Sequence, residues 1–247
     1  MKILLIGATG SMGKTIIDIC SGNENYEIVA GIGSGAEVSF PLYRELSEVK
    51  ENFDIMIDFS NHNLIESILE YGIRAKKPIV IATTGYSDEQ TTLIEEAAKE
   101  IPILFSGNMS IGINVLLNIV ENLSKSLKGF DIEIIEKHHK LKKDSPSGTA
   151  KMLFDSANKG RDNTLEEIDG RSGTNLWREE TEVGIHSVRG GTIVGEHSVI
   201  FTGLDEVVEI THIAQSKKIF ANGALSACDF LIEKEAGLYN MGDIFKF

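Results

Sequence analysis

The stretch Ile3-Leu4-Leu5-Ile6-Gly7-Ala8-Thr9-Gly10-Ser11-Met12-Gly13 decides the fold. Four apolar residues that stop at a glycine read as a short strand buried on both faces. Met12, Ile16, Ile19 and Cys20 then recur at helical spacing, with Gly22 as the stop. Glycines between a first strand and a first helix suit a dinucleotide-binding turn. One turns the chain, one admits a pyrophosphate to the backbone, and one lets the helix pack on the strand. The helix start adds free N–H groups and the positive end of its dipole. Gly7, Gly10 and Gly13 are spaced GxxGxxG, a variant of GxGxxG, and a strand–helix turn that merely uses glycine looks the same. A phosphate loop is the rival reading. Ala8–Thr15 reads AxxxxGKT, one residue from GxxxxGK[ST], and Asp58, after Ile55-Met56-Ile57, could hold its magnesium ion. The leading glycine of that loop is Ala8 here, which counts against it.

Working outward, strands are predicted at Glu27–Ile32, Asp54–Phe59, Pro78–Ala82 and Pro102–Phe105. Helical patterns run through Leu64, Ile65, Ile68 and Leu69, and through Leu93, Ala97 and Ala98. Strands that alternate with helices mean βαβ units and a parallel sheet covered on both faces. After residue 110 the pattern changes. Ile113, Leu116, Leu117, Val120, Leu123 and Leu127 make one long amphipathic helix, capped by Ser110. Phe130–Lys137 reads as a strand, and Ala150, Leu153, Phe154 and Ala157 as the apolar face of a short helix. Residues 158–181 read as a polar, irregular, mobile loop containing Arg161 and Arg171. Val183–Val188, Thr192–Val194, His197–Phe201 and Val207–Ala214 follow as successive strands, which suggests a mainly antiparallel second sheet. The tail is helical through Ala221, Leu225, Cys228, Leu231 and Ile232, ending near Gly237. The expected fold class is α/β: an N-terminal Rossmann-type parallel sheet plus a second α+β domain with a mainly antiparallel or mixed sheet.

The chain has 247 residues, 42% apolar and 25% charged, with a net charge of −13. That is an ordinary globular balance. An acidic chain without a basic arm repels phosphate backbones, so nucleic-acid binding is not expected. No apolar run reaches the roughly 18 residues of a membrane span. The first residues are too short and too soon glycine-rich for a secretory signal. Cys20 and Cys228 both fall in helical patterns and read as small core residues in a reducing, cytoplasmic setting.

Against that acidity, residues 137–143 read KHHKLKK. A charge run is usually a solvated face. This one ends an apolar strand, so its side chains leave a rigid edge. It also runs directly into Asp144-Ser145-Pro146-Ser147-Gly148-Thr149-Ala150, which has the look of a helix start. Lysines beside free N–H groups and hydroxyls make an anion site, and a carboxylate is a natural occupant. His138 and His139 are adjacent on a strand and point to opposite faces, so no metal site is expected. Proton transfer suits a histidine here better, with a neighbouring lysine as second donor.

EKHHKLKKDSPSGTA (136–150) resembles the E-x-H-H-x-x-K-x-D-x-P-S-G-T-A signature of the dihydrodipicolinate reductase family, also called 4-hydroxy-tetrahydrodipicolinate reductase, of diaminopimelate and lysine biosynthesis. GATGSMG (7–13), ATTG (82–85), SGNMSIGIN (106–114), VGEH (194–197) and FANGA (220–224) add to the resemblance, in family order along nearly the whole chain. The resemblance implies a nucleotide domain from residues 1–109 and 217–247, with a substrate and oligomerisation domain at 110–216. It implies hydride transfer from NADPH or NADH to a small cyclic imine dicarboxylate, in a homotetramer. His138 would then be the acid/base residue and Lys142 the proton donor, with His139, Ser147, Gly148 and Thr149 holding substrate. The cofactor contacts would be Gly7, Ala8, Thr9, Gly10, Ser11, Met12, Gly13, Ala82, Thr83, Thr84, Ser106, Gly107, Asn108 and Met109.

Three departures bear on the cofactor. Asp or Glu about 20 residues after the glycine loop would grip the ribose of NADH. Here the second strand ends in Gly31-Ile32-Gly33-Ser34-Gly35, with no acid until Glu37 and no Arg until Arg44. Ser11 stands where the family often has Arg, and Ala82 where it often has Gly. Use of both cofactors is expected, leaning to NADPH. A non-catalytic nucleotide sensor of the same fold remains a rival, although a sensor has no need of a proton donor.

Overall fold

The computed structural model describes residues 1–35 and 37–245. The chain divides into two compact units, Met1–Ile111 with Lys217–Phe247, and Gly112–Ser216. In the first unit the elements are β1 (Lys2–Ile6), α1 (Ser11–Ser21), β2 (Glu27–Ile32), β3 (Leu42–Tyr43), β4 (Ile55–Asp58), α2 (Ile65–Ala75), β5 (Ile79–Ile81), α3 (Asp88–Ala97) and β6 (Pro102–Phe105). Helix α4 (Ile111–Ser126) leads into the second unit. That unit continues with β7 (Asp131–His138), α5 (Gly148–Lys159), β8 (Glu166–Asp169), β9 (Glu182–Arg189), β10 (Gly195–Thr202) and β11 (Val207–Ala214). The chain then returns to the first unit as α6 (Lys218–Leu231) and β12 (Gly237–Tyr239).

The first sheet has the order β12-β6-β5-β4-β1-β2-β3, with every pairing parallel. The run Ile3–Ile6 is apolar throughout because both faces are covered. Ile3 and Leu5 pack with Ile16 of α1 and with Ala224 and Cys228 of α6. Leu4 and Ile6 pack on the other side with Ile65 and Ile68 of α2 and Ile94 of α3. This is the expected Rossmann-type sheet. Two of its edge strands escaped the sequence reading. The two-residue β3 is too short for a periodic signal, and β12 lies where the tail was expected to end in helix.

The second sheet has the order β11-β10-β7-β9-β8. β10 pairs antiparallel with β7 and β11, while β7–β9 and β9–β8 are parallel, so the sheet is mixed in equal parts. Helices α4 and α5 bury Ile132, Ile134, Val183, Ile185, Val199 and Phe201 on one face. Thr192–Val194 is not a strand. It belongs to the short loop that carries the chain from β9 across the end of β7 into β10, pinned by Gly190 N–H to His138 O at 2.9 Å and Lys140 N–H to Gly191 O at 3.3 Å.

The segment 158–181 is also not a free loop. It contains β8, and its arginines are anchors. Arg161 donates to the carbonyls of Ser124, Leu127, Lys128 and Phe130, closing the C-terminal end of α4. Arg171 bridges Glu133 and Glu182, and Arg178 bridges Asp131 and Glu133.

Within the first unit, α6 sits so close to the loop after β6 that a Cβ on Gly223 would lie 1.7 Å from the Met109 carbonyl oxygen. That contact explains why the FANGA motif has glycine there. Gly223→Ala should cost about 3 kcal/mol and lower Tm by at least about 5 °C in a thermal melt. Gly22→Ala, whose Cβ would meet nothing nearer than 3.9 Å, should leave Tm nearly unchanged.

Candidate active site

In the first unit, three loops leave the C-terminal ends of parallel strands and so share one edge of the sheet. The loop after β1 is shaped by its glycines. Gly7 adopts φ +81°, and a Cβ there would stand 2.3 Å from Phe59 O. A Cβ on Gly13 would stand 2.3 Å from Gly7 O, so α1 can approach the strand only without one. Gly10 caps α1 with no side-chain hydrogen bond, and no acidic residue stands in the first turn. The positive end of the helix is therefore left for an anion. These features fit the pyrophosphate of a dinucleotide.

The loop after β5 holds Ala82, Thr83 and Thr84, and that after β6 holds Ser106, Gly107, Asn108 and Met109. Their side chains mostly shape backbone. Thr83 Oγ1 accepts from Ser60 N–H at 2.9 Å. Ser106 Oγ donates to Asn108 O at 3.0 Å, and Asn108 Oδ1 accepts from Ser110 N–H at 2.8 Å. The Met109 side chain belongs to the core. Thr84 and Gly107 are exposed. A hollow of about 220 Å³ is lined by Ser60, Asn61, His62, Ala82, Thr83 and Thr84, together with Phe59.

Asp58, the residue a phosphate loop would need for magnesium, is fully buried. It accepts from Ser60 and from Tyr86 Oη at 3.3 Å, and burial raises its pKa despite the hydrogen bonds from Ser60, Thr83 and Tyr86. It braces the loops after β4 and β5.

In the second unit, the run 137–143 is less cationic than its composition implies. Lys137 pairs with Glu196 at 3.0 Å and Lys142 with Asp144 at 2.9 Å, while Lys140 and Lys143 are exposed. The organiser is a carboxylate that the sequence reading did not single out. Glu136, 0% exposed, takes five hydrogen bonds. Its Oε1 accepts from Arg189 Nη2 (2.6 Å), Ser187 Oγ (2.8 Å) and Ser147 N–H (3.1 Å). Its Oε2 accepts from Arg189 Nη1 (2.7 Å) and is 2.6 Å from His138 Nδ1. Burial alone would raise the Glu136 pKa. The hydrogen bonds from Arg189, then His138 and Ser187, outweigh it and hold the group at about 2. An ionised carboxylate only accepts, so His138 carries its proton on Nδ1 and leaves Nε2 with the lone pair. Nε2 lies beside Gly195, where a Cβ would stand 3.1 Å away. The VGEH motif thus keeps that nitrogen uncrowded.

Burial also pushes the His138 pKa below its ordinary value, against the pull of Glu136 and with help from Lys142 and Arg189. Arg189 Nη2 reaches on to Asp144 O at 2.7 Å, so the residue that pairs with Lys142 is fixed by the same arginine.

Helix α5 starts beside this cluster. Ser147 is its cap, accepting from Ala150 N–H at 3.2 Å, and its hydroxyl lies 3.1 Å from His197 Nε2. Gly148 is exposed, Thr149 and His139 are half-buried, and the first turn of α5 has no acidic residue. His138 and His197 meet edge to face at 5.1 Å. Glu136, Arg189, Ser187 and His197 are therefore members of the site that local spacing did not reveal. The signature 136–150 opens on Glu136 and VGEH closes on His197, but neither motif reaches Ser187 or Arg189.

His197 gives a pH test. It is 4% exposed and its Nδ1 has no hydrogen-bond partner among the described residues, and burial holds its pKa down at about 4. An unfolded histidine takes up its proton near pH 6.5, and the folded one resists until about 4. Stability is therefore lost as pH falls from about 6.5 to 4, by about 3 kcal/mol from this group. Urea unfolding at pH 7 and pH 4.5 should show the loss, and His197→Gln should flatten it.

Residues 1–109 match the family described as dihydrodipicolinate reductase, N-terminus, and residues 112–245 match dihydrodipicolinate reductase, C-terminus. The chain is 48% identical over 247 residues to the 4-hydroxy-tetrahydrodipicolinate reductase of Caldanaerobacter subterraneus subsp. tengcongensis, covering 100% of this chain and 98% of that one. It is 46% identical over 244 residues to the protein of the same name from Clostridium tetani, covering 98% and 95%. Among solved structures it is similar to the dipicolinate-bound dihydrodipicolinate reductase from Paenisporosarcina sp. TG-14, with TM-score 0.84, 22% identity and 99% of each chain covered, a likeness of fold. None of these relatives is a nucleotide triphosphatase or a sensor. With both halves matched and the relatives aligned from end to end, the chain belongs to the dihydrodipicolinate reductase family.

Proposed function

We propose that this protein reduces 4-hydroxy-tetrahydrodipicolinate to tetrahydrodipicolinate with a nicotinamide nucleotide, in diaminopimelate and lysine biosynthesis. The observation that carries the reading is the Glu136–His138 pair beside Lys142 and the start of α5, in a chain of this family. The first unit would hold the nucleotide through Gly7 to Gly13, Ala82 to Thr84 and Ser106 to Met109, with the pyrophosphate at the start of α1. The bound nicotinamide supplies the hydride. The second unit binds the cyclic dicarboxylate, taking one carboxylate on the backbone at Gly148 and Thr149, the Thr149 hydroxyl and His139. Ser147 contributes by capping that helix start. The 4-hydroxyl of the substrate leaves as water, Lys142 donates the proton that the reduced ring then requires, and His138 exchanges a proton at Nε2.

NADPH is the favoured cofactor, because no carboxylate stands at the end of β2 to repel a 2′-phosphate. A homotetramer is part of the same reading. The face of the second sheet away from α4 and α5 carries Ile135, Val188, Ile200, Val207 and Ile213, of which Val207 and Ile213 are each 59% exposed. The free, buried thiols of Cys20 and Cys228 suit a reducing cytoplasm.

The test is oxidation of NADPH or NADH in the presence of the cyclic product of pyruvate and aspartate semialdehyde condensation. Lys142→Ala should lower kcat by roughly two orders of magnitude or more with nucleotide affinity unchanged. A wild-type protein that oxidises neither nucleotide, or a Lys142→Ala variant that loses nucleotide binding, contradicts the assignment.

A further inference from the structure

The end of β2 is where a Rossmann-type fold places the side chain that reads the adenosine ribose. In this chain Gly33 and Ser34 stand there and offer neither a carboxylate nor a cation. What comes beside them is supplied by β3. That strand pairs parallel with β2, Gly31 opposite Leu42 and Ile32 opposite Tyr43, and Gly33 N–H donates to Tyr43 O at 2.9 Å. Arg44, the next residue, therefore leaves the sheet at the level of Gly33. Gly33 itself is packed on the glycine loop, since a Cβ there would stand 2.8 Å from Thr9 Oγ1. Two strands of register thus set Arg44 beside Gly33, the residue that packs on the loop, eleven residues further along the chain.

The charge on Arg44 is uncompensated among the described residues. Arg171, Arg178 and Arg189 each pair with carboxylates, Arg161 caps a helix, and Arg74 lies over the Tyr71 ring. Arg44 is exposed and makes no ion pair there. Its two acidic neighbours are engaged elsewhere. Glu48 accepts from the backbone N–H groups of Arg44 and Glu45, and the Glu45 carboxylate caps the turn Leu46–Glu48 in return. Arg44 also lines a cavity of about 350 Å³ that reaches Ile6 and Ile32, the last residues of β1 and β2.

We propose that Arg44 reads the 2′-phosphate of NADPH and so sets the cofactor preference. The assignment rests on the nicotinamide-nucleotide reading above. A guanidinium matches a phosphate with paired, charge-assisted hydrogen bonds, and the 2′-hydroxyl of NADH makes no such demand. Counting along the chain from β2 makes Arg44 look too distant, because the count does not show that it returns on the neighbouring strand.

Calorimetric titration with 2′,5′-ADP and with 5′-AMP separates the phosphate from the rest of the cofactor and needs no turnover. Arg44→Ala should weaken 2′,5′-ADP by roughly 10- to 100-fold and leave 5′-AMP unchanged, with Arg44→Lys retaining part of the affinity. In parallel, kcat/KM for NADPH should fall by the same factor while that for NADH holds. An unchanged ratio of the two fragment affinities in Arg44→Ala overturns the role of Arg44 while leaving the reductase reading intact. Wild-type protein that binds neither fragment overturns the nucleotide reading, and this assignment with it.

Discussion

One buried negative charge organises the second unit. Glu136 is taken wholly out of water, and that would be costly without its five hydrogen bonds, two of them from the Arg189 guanidinium. The carboxylate and the arginine bound to it fix three separate pieces of chain. The Ser147 N–H is tied to Oε1, which sets where α5 begins; Arg189 holds the Asp144 carbonyl, which sets the bend that carries Lys142; and His138 is locked in orientation and tautomer. Removing one partner of such a pair typically costs about 3–5 kcal/mol, because the remaining charge stays buried. The acid/base chemistry and the anion-binding helix start therefore share one electrostatic support.

That support depends in turn on the sheet. β7 ends at His138, and β9, its parallel neighbour, places Arg189 directly opposite in register. The loop after Arg189 crosses the end of β7 and returns as β10, bringing Gly195 beside His138 Nε2 and His197 against Ser147. A purely antiparallel arrangement of the same strands would not bring the C-terminal ends of β7 and β9 together.

The first unit was legible because its signals are local. Ile3–Ile6 is apolar on both faces and is followed within one turn by the glycines, so strand, loop and helix can be read together. The strands that were missed, β3, β8 and β12, have two to four residues each at sheet edges, too short to show a period. Thr192–Val194 has β-prone residues but sits in the crossing loop, where the path between sheet neighbours overrides propensity. In the site, the address of the chemistry was legible in KHHKLKK and PSGTA. Its electrostatics were not, because charge composition cannot tell which lysines are neutralised, and Lys137 finds Glu196 across 59 residues. Arg189 and Glu136 are likewise 53 residues apart, and only the parallel register of β7 and β9 makes them a pair.

The most direct test is the protonation state of the His138 ring, read by nitrogen-15 NMR of the histidine side chains at pH 7. An ionised Glu136 accepting from Nδ1 requires the proton on Nδ1, and burial, which lowers the His138 pKa, leaves Nε2 unprotonated at pH 7. A ring found with its proton on Nε2 and a bare Nδ1 would contradict the account, because Glu136 could not then be the group that orients it.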